Sequence, residues 1–239
     1  MLDRHSDDDG AAEPTADGAA PRVEGGLRAV VFDLDGVLVD SFEVMREAFS
    51  VAYAEVVGVG EAPFTEYNRH LGRYFPDIMR IMGLPPEMEE PFVRESRRLA
   101  SRVQVFPGIA ELLESLHRRK VPMAVATGKA GDRARALLAG LGLLDLFEVV
   151  IGSDEVPRPK PAPDMVRLAL SALGAPAGQT VMVGDAVTDL HSAHGAGVYA
   201  AAALWAGVDP EPLLGARPDV VLRHPAELLE LVATPVTAG

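Results

Sequence analysis

Five short apolar runs punctuate the chain: Ala29-Val30-Val31-Phe32, Met123–Ala126, Val149–Ile151, Val181–Val183 and Val198–Leu204. Each is shorter than a helix needs and almost free of polar residues, the pattern of strands buried on both faces. Between the later runs lie segments of helical character at Gly108–Lys120, Asp132–Leu141, Ala162–Leu173 and Asp189–Ala196. Buried strands alternating with amphipathic helices predict an α/β fold, a Rossmann-like, doubly wound parallel sheet with helices on both faces.

Residues 42–106 interrupt the alternation. Glu87 to Val103 sets Met88, Phe92, Leu99 and Val103 on one helical stripe, with Arg and Glu elsewhere. Phe42 to Val57 and Pro76 to Met82 also read as helices, and the segment offers no convincing strand. The expected organisation is a core of residues 27–41 and 107–233 carrying an inserted α-helical cap domain, 42–106. No internal repeat is visible.

Composition adjusts this picture at the ends. Residues 1–26 are rich in Asp, Ala, Gly and Pro, with seven acids against Arg4 and Arg22. Such a stretch buries too little apolar surface to offset its ordering entropy and is expected to be a disordered acidic tail. Residues 234–239 are expected to fray. The formal net charge of −13 argues against nucleic acid or an anionic membrane surface as partner. The absence of cysteine removes disulfides, thiolate nucleophiles and cysteine-bound metals. No run reaches the ~20 apolar residues of a membrane-crossing helix. The longest, Val198 to Val208, is Ala-rich and reads as a strand entering a loop. The N-terminus lacks a basic region followed by an apolar stretch, so a soluble, cytoplasmic protein is expected.

The chemistry gathers where apolar runs stop. In Phe32-Asp33-Leu34-Asp35-Gly36-Val37-Leu38-Val39-Asp40-Ser41, two carboxylates stand one residue apart just past a buried strand, where open α/β sheets bind ligands. A turn with a capping aspartate explains one acid and the glycine. Two acids at such a place are costly unless a cation neutralises them. Ala126-Thr127-Gly128-Lys129 offers a hydroxyl and backbone amides near a helix start, suited to an anion. Pro157-Arg158-Pro159-Lys160-Pro161-Ala162-Pro163 is a stiff loop bearing one of only three lysines in the chain. Val183-Gly184-Asp185-Ala186-Val187-Thr188-Asp189 places two more acids after a strand, either of which could equally cap a helix.

A parallel sheet sends all of these strand ends to one edge. One crevice is then expected to hold Asp33, Asp35, Asp185 and Asp189 against Lys160 and Thr127, a site for a divalent cation and a phosphate. Mg²⁺ is the expected ion, since it takes oxygen ligands through one or two carboxylates, phosphate and water.

With these four motifs in this order, from about Leu27 to Leu231, the chain resembles the haloacid dehalogenase superfamily phosphatases of the phosphoglycolate phosphatase-like kind, which carry a helical cap after the first motif. The resemblance implies that Asp33 is the nucleophile forming an aspartyl-phosphate, and that Asp35 protonates the leaving alcohol and then activates water. It implies that Thr127, Gly128 and Lys160 hold the phosphoryl oxygens. Asp33, the backbone carbonyl of Asp35, and Asp185 would ligate Mg²⁺, with Asp189 supporting the metal site or orienting Lys160. In the cap, Asn68-Arg69-His70-Leu71-Gly72-Arg73-Tyr74 lies where the family keeps its specificity loop, so Arg69, His70 and Arg73 become candidate substrate contacts, against the bland reading of a solvated face.

Other members of the superfamily fit less well. A dehalogenase lacks the second acid of the first motif, and a phosphonatase needs a cap lysine, which residues 42–106 do not contain. A sugar phosphomutase typically pairs two acids at the fourth motif, where Gly184 precedes Asp185 here. Outside the superfamily, a phosphoacceptor receiver has no helical insert, and a module that only binds needs neither Asp35 nor Lys160. The expected partner is therefore a small-molecule phosphate ester, with a monomer as the default state. The stretches Arg69–Leu84 and Val150-Ile151-Gly152-Ser153-Asp154-Glu155 further resemble phosphatases associated with aminohydroxybenzoate formation in ansamycin pathways, which implies an aminosugar phosphate such as kanosamine 6-phosphate.

Overall fold

The computed structural model describes residues 26–207 and 209–232. Apart from Gly26, the acidic tail and the segment 234–239 lie outside the described residues. The strands within them are β1 (Ala29–Phe32), β2 (Val39–Asp40), β3 (Gln104–Val105), β4 (Met123–Thr127), β5 (Val149–Gly152), β6 (Thr180–Gly184), β7 (Tyr199–Ala203) and β8 (Val220–Leu222). The helices are α1 (Phe42–Val56), α2 (Phe64–Asn68), α3 (Phe75–Met82), α4 (Glu89–Arg98), α5 (Ile109–Arg118), α6 (Gly131–Gly140), α7 (Asp164–Leu173), α8 (Val187–Ala196), α9 (Pro210–Gly215) and α10 (Leu228–Leu231). None of these helices is long and apolar enough to cross a membrane.

Six strands form one parallel sheet in the order β5-β4-β1-β6-β7-β8. From β1 the chain winds outward through β4 and β5, then returns to β6 on the other side and continues outward. The winding therefore reverses beside β1, and a ligand crevice opens at the carboxyl end of such a reversal.

Alternation along the strands builds two cores. Val30, Phe32, Met123, Val125, Val181 and Val183 face one way and pack with Leu112, Leu113 and Leu116 of α5, Leu138 of α6 and Leu228 of α10. Val31, Ala124, Ala126, Met182, Ala200 and Ala202 face the other way, against α7, α8 and Leu213 of α9. The second face is dominated by alanine, which lets α7 and α8 lie close on the sheet. Phe32 is fully buried, edge-on to Phe147 at 6.4 Å between centroids, and burial of a ring that size is worth about 1.5–3 kcal/mol.

A third core lies between α1, α2, α3 and α4. Phe49 stacks on Tyr67 at 4.5 Å and Phe75 on Phe92 at 4.2 Å, with Ile78, Met79 and Met88 around them. The continuous helix expected over Glu87–Val103 is broken into a 3₁₀ turn (Pro86–Met88), α4 and a second 3₁₀ turn (Ala100–Arg102). The stripe is buried as its period predicts, but it serves two cores. Met88 and Phe92 join the helical cluster, whereas Leu99 and Val103 pack with Val37, Leu38 and Val39 under the sheet.

One expectation is corrected here. The segment 42–106 is not purely helical, because β3 pairs antiparallel with β2 through Val39↔Val105 and Asp40↔Gln104. A two-residue strand has no hydrophobic period, so the sequence pattern carries no sign of it.

Candidate active site

Asp33 is the first residue beyond β1, and its N–H donates to Val183 O at 2.9 Å, tying it to the end of β6. Its carboxylate is buried. The Lys160 ammonium, from the proline-punctuated loop before α7, donates to Asp33 Oδ1 (2.8 Å), Asp189 Oδ1 (2.6 Å) and Ala126 O (3.0 Å). All three of its donors are thus used by the protein, with none left over to turn into the crevice. Asp189 lies in the first turn of α8, where its Oδ2 also accepts the Ala186 N–H at 3.0 Å. One Asp189 oxygen thus holds the start of α8, as a capping acid does, and the other is turned to Lys160.

Asp185 follows β6 directly, and its approach to the first loop depends on Gly36. That residue has φ +85°, and a Cβ there would stand 1.9 Å from Asp185 Oδ2. Only glycine combines that backbone conformation with the space needed. Carboxylate oxygens of Asp33, Asp185 and Asp189 all lie within 4.8 Å of one another.

Three acids against one ammonium, shielded from water, leave an excess of negative charge. Burial, outweighing Lys160 and reinforced by Asp189, pushes Asp33 up to about 7. Burial and then Asp33 push Asp185 well above the ordinary carboxylate range. Burial works against the charged form of Lys160, but Asp189 and Asp33 overcome it and hold the ammonium protonated.

Asp35 has a different environment. Its Oδ1 accepts from Ser41 Oγ at 2.6 Å and its Oδ2 pairs with Lys129 Nζ at 3.0 Å. Burial pushes this carboxyl up, yet Lys129, Ser41 and Arg133 together hold it below the usual aspartate value. Two aspartates one residue apart are therefore driven in opposite directions, a division found where acid and base roles are separated.

A cavity of about 650 Å³ opens above these groups. Asp33, Asp35, Thr127, Gly128 and Asp185 form its floor, and Tyr67, Phe75, Ile78 and Phe92 from the helices form an apolar wall. The loop after α2 crosses above the floor so closely that a Cβ on Gly128 would stand 2.7 Å from the carbonyls of Gly72 and Arg73.

The residues read from the sequence separate clearly in space. Asp33, Asp35, Thr127, Lys160, Asp185 and Asp189 converge at the sheet edge. Arg73 lines the cavity half-buried, with no ion pair among the described residues. Arg69 lines it too but is well exposed and pairs with Glu66 at 2.7 Å. His70 bonds the other Glu66 oxygen at 3.2 Å and lies off the cavity wall. Four contributors were missed: Ser41, Lys129, Arg133 and Thr188, whose buried Oγ1 has no partner among the described residues. Lys129 and Arg133 stand four residues apart across the start of α6, a spacing that points side chains to one side.

Known proteins match this chain along most of its length. The family model described as haloacid dehalogenase-like hydrolase covers residues 30–203. A probable phosphatase, IndB of Dickeya dadantii (strain 3937), is 35% identical over 228 residues, covering 87% of this chain and 97% of that protein. The phosphoglycolate phosphatase of Rhodospirillum rubrum is 34% identical over 185 residues, covering 72% of this chain and 77% of that protein. The crystal structure of a hydrolase from Pseudomonas syringae superposes with a TM-score of 0.75 at 26% identity, over 85% of this chain and 96% of that one.

Proposed function

The chain belongs to the haloacid dehalogenase-like hydrolase family, and we propose that within it the protein is a Mg²⁺-dependent phosphatase that hydrolyses a small-molecule phosphate monoester through an aspartyl-phosphate on Asp33. The observation that carries this reading is the buried Asp33 carboxylate, held at Oδ1 by Lys160 beside Asp185 and Asp189 at the floor of an open cavity. Its Oδ2 has no hydrogen bond among the described residues. The names of the relatives, two of them phosphatases, point the same way.

The donor set suits Mg²⁺. Two buried carboxylates and the half-buried Asp185 with one ammonium retain net negative charge, and a hard divalent cation with oxygen ligands offsets it. Asp33, Asp185 and the backbone carbonyl of Asp35 would hold the ion, and Asp189 supports it by fixing Lys160. Bound there, Mg²⁺ supplies neutralisation of the phosphoryl oxygens and keeps Asp33 ionised at neutral pH.

The chain's own residues then divide the work. Asp33 attacks phosphorus while the bond to the leaving oxygen breaks, and Asp35 gives that oxygen its proton. Asp35 next accepts a proton from the water that attacks the aspartyl-phosphate, releasing inorganic phosphate and restoring the Asp33 carboxylate. Thr127 Oγ1 and the Gly128 amide hold phosphoryl oxygens, and Lys160 offsets charge from beneath Asp33. Asp35 is ionised while Lys129 and Ser41 hold its two oxygens. Substrate that draws Lys129 away raises the Asp35 pKa and lets it serve as the acid. Helices α1–α4 act as the cap, excluding water during the first transfer and contacting the leaving group through Arg73, with Arg69 and His70 farther out.

The test is phosphate release from a panel of sugar phosphates, phosphoglycolate and an aryl phosphate, with and without Mg²⁺, beside Asp33→Asn. The panel includes an aminosugar phosphate, which the resemblance over Arg69–Leu84 and Val150–Glu155 implies. Mg²⁺-dependent release that Asp33→Asn abolishes is the expected result. Release that survives Asp33→Asn, or none from any ester by the folded protein, would overturn the assignment.

A further inference from the structure

Behind the main cavity lies a second chamber of about 220 Å³, walled by α1, α4 and α6. Ser41, Met45, Lys129 and Arg133 line both spaces and so form the partition between them. Two buried polar atoms on residues that line the chamber, Ser96 Oγ and Arg133 Nε, have no hydrogen-bond partner among the described residues. Buried donors normally meet a partner, so a pair left open beside a cavity marks a place for a ligand group.

The charge pattern says which kind of group. Arg133 is part-buried, with its guanidinium carbon 5.8 Å from the centroid of the Phe92 ring on the main cavity wall. It makes no ion pair among the described residues, because each neighbouring carboxylate is engaged elsewhere. Asp132 pairs with Arg97 at 2.8 Å, Glu155 with Arg135 at 2.8 Å, and Asp35 with Lys129 at 3.0 Å. A planar cation kept half out of water, stacked on an aromatic face and lacking a carboxylate, is arranged for an anion that arrives with the ligand.

We infer that Arg133, with Ser96 beyond it and Lys129 beside it, seats a second anionic group carried by the leaving alcohol, so that the substrate is a phosphate monoester bearing a carboxylate or a second phosphate. The inference rests on the phosphatase reading and narrows its substrate class. It assigns Arg133 to specificity, separate from the transfer chemistry at Asp33.

Two matched pairs of esters test it: phosphoglycolate against ethyl phosphate for a carboxylate, and fructose 1,6-bisphosphate against fructose 6-phosphate for a second phosphate. Wild-type protein is expected to favour the anionic member of at least one pair by about tenfold or more in kcat/KM, a factor typical of a charge-assisted contact. Arg133→Met should cut that preference at least tenfold, mainly through KM, Arg133→Lys should keep part of it, and Ser96→Ala should reduce it several-fold. The pair that responds identifies the anion. Equal kcat/KM within both pairs, a preference unmoved by Arg133→Met, or a preference for glucosamine 6-phosphate over every anionic ester would overturn the inference. An aryl phosphate assayed alongside reports the phosphatase reading separately. If that reading fails, calorimetric binding of the same pairs to wild type and Arg133→Met still decides the anion site, with equal affinities counting against it.

Discussion

Replacing Lys160 by Met keeps the length of the side chain and removes the only ammonium inside the acidic cluster. Its side chain is fully buried, and it satisfies Asp33, Asp189 and the Ala126 carbonyl at once. Breaking a buried ion pair from one side costs about 3–5 kcal/mol, because the abandoned charge stays in a poor solvent. For a domain of this size that is a fall in Tm of about 6–20 °C. The measurement is urea and thermal unfolding by circular dichroism at pH 8 in EDTA, where no added cation can replace the ammonium. An unchanged urea m-value would show that the same folded state is being compared. Lys160→Met combined with Asp189→Asn removes one of the stranded charges, leaves an Asn oxygen to cap α8, and should regain about 1–3 kcal/mol of the loss. A loss below about 1 kcal/mol in the single variant would refute the charge argument, since such values belong to exposed pairs. A double variant no more stable than the single would refute it as well.

Three further outcomes follow from the same geometry. Asp33 has its folded pKa at about 7 against an ordinary 3.8, so the native state binds more protons and the contribution of Asp33 is lost as pH rises through that window; unfolding titrations in EDTA should show the stability difference between wild type and Asp33→Asn shifting toward the variant across it, and Mg²⁺ should flatten the trend. Gly128→Ala puts a methyl group against the Gly72 and Arg73 carbonyls; kcat/KM should fall about 10–100-fold from displaced loop geometry with little change in Tm, and full activity would show that the loop does not close there in turnover. Glu155, bonded to Arg135 and to the Gly152 amide, is held below its ordinary 4.5 chiefly by Arg135. Its contribution is present above that value and lost as pH falls through the lower folded pKa. Glu155→Gln should therefore cost about 1 kcal/mol at pH 7, discounted for partial solvent screening, and denaturant unfolding should show that cost shrinking progressively as pH falls below 4.5.

The five strongest sheet strands were legible because each is an unbroken apolar run, and β1 spans Ala29–Phe32 as read. β8, with only Val220–Leu222, is too short to stand out, and α2, α9 and α10 are too brief to show a period. The acids and the lysine of the crevice were legible for a similar reason. Charged residues abutting buried strands are conspicuous, and parallel topology alone brings them to one edge. Contacts across the cavity were not. Arg133 shares a side with Lys129 by spacing, but that it faces Phe92 of α4, and that Ser41 in the turn between β2 and α1 reaches Asp35, has no signature in local sequence. Arg69 and His70 illustrate the converse. Glu66, three and four residues before them, claims both side chains on a short helical turn, a pairing that spacing permits but cannot by itself distinguish from a ligand contact.

The β2–β3 pair has a consequence for the architecture as a whole. Its two rungs, extended by the Phe106 N–H to Leu38 O bond at 3.1 Å, close the chain on itself immediately beside the loop that follows β1. In polymer terms, residues 41–103 are one enlarged hairpin turn hung from a sheet that is already complete without them. Closing such a loop costs only about 0.6 kcal/mol more for each doubling of its length. As long as Val44, Leu99 and Val103 keep their places in the core beneath the sheet, the helices between them can therefore be exchanged, changing what stands over Asp33 without shifting the register of any of the six parallel strands.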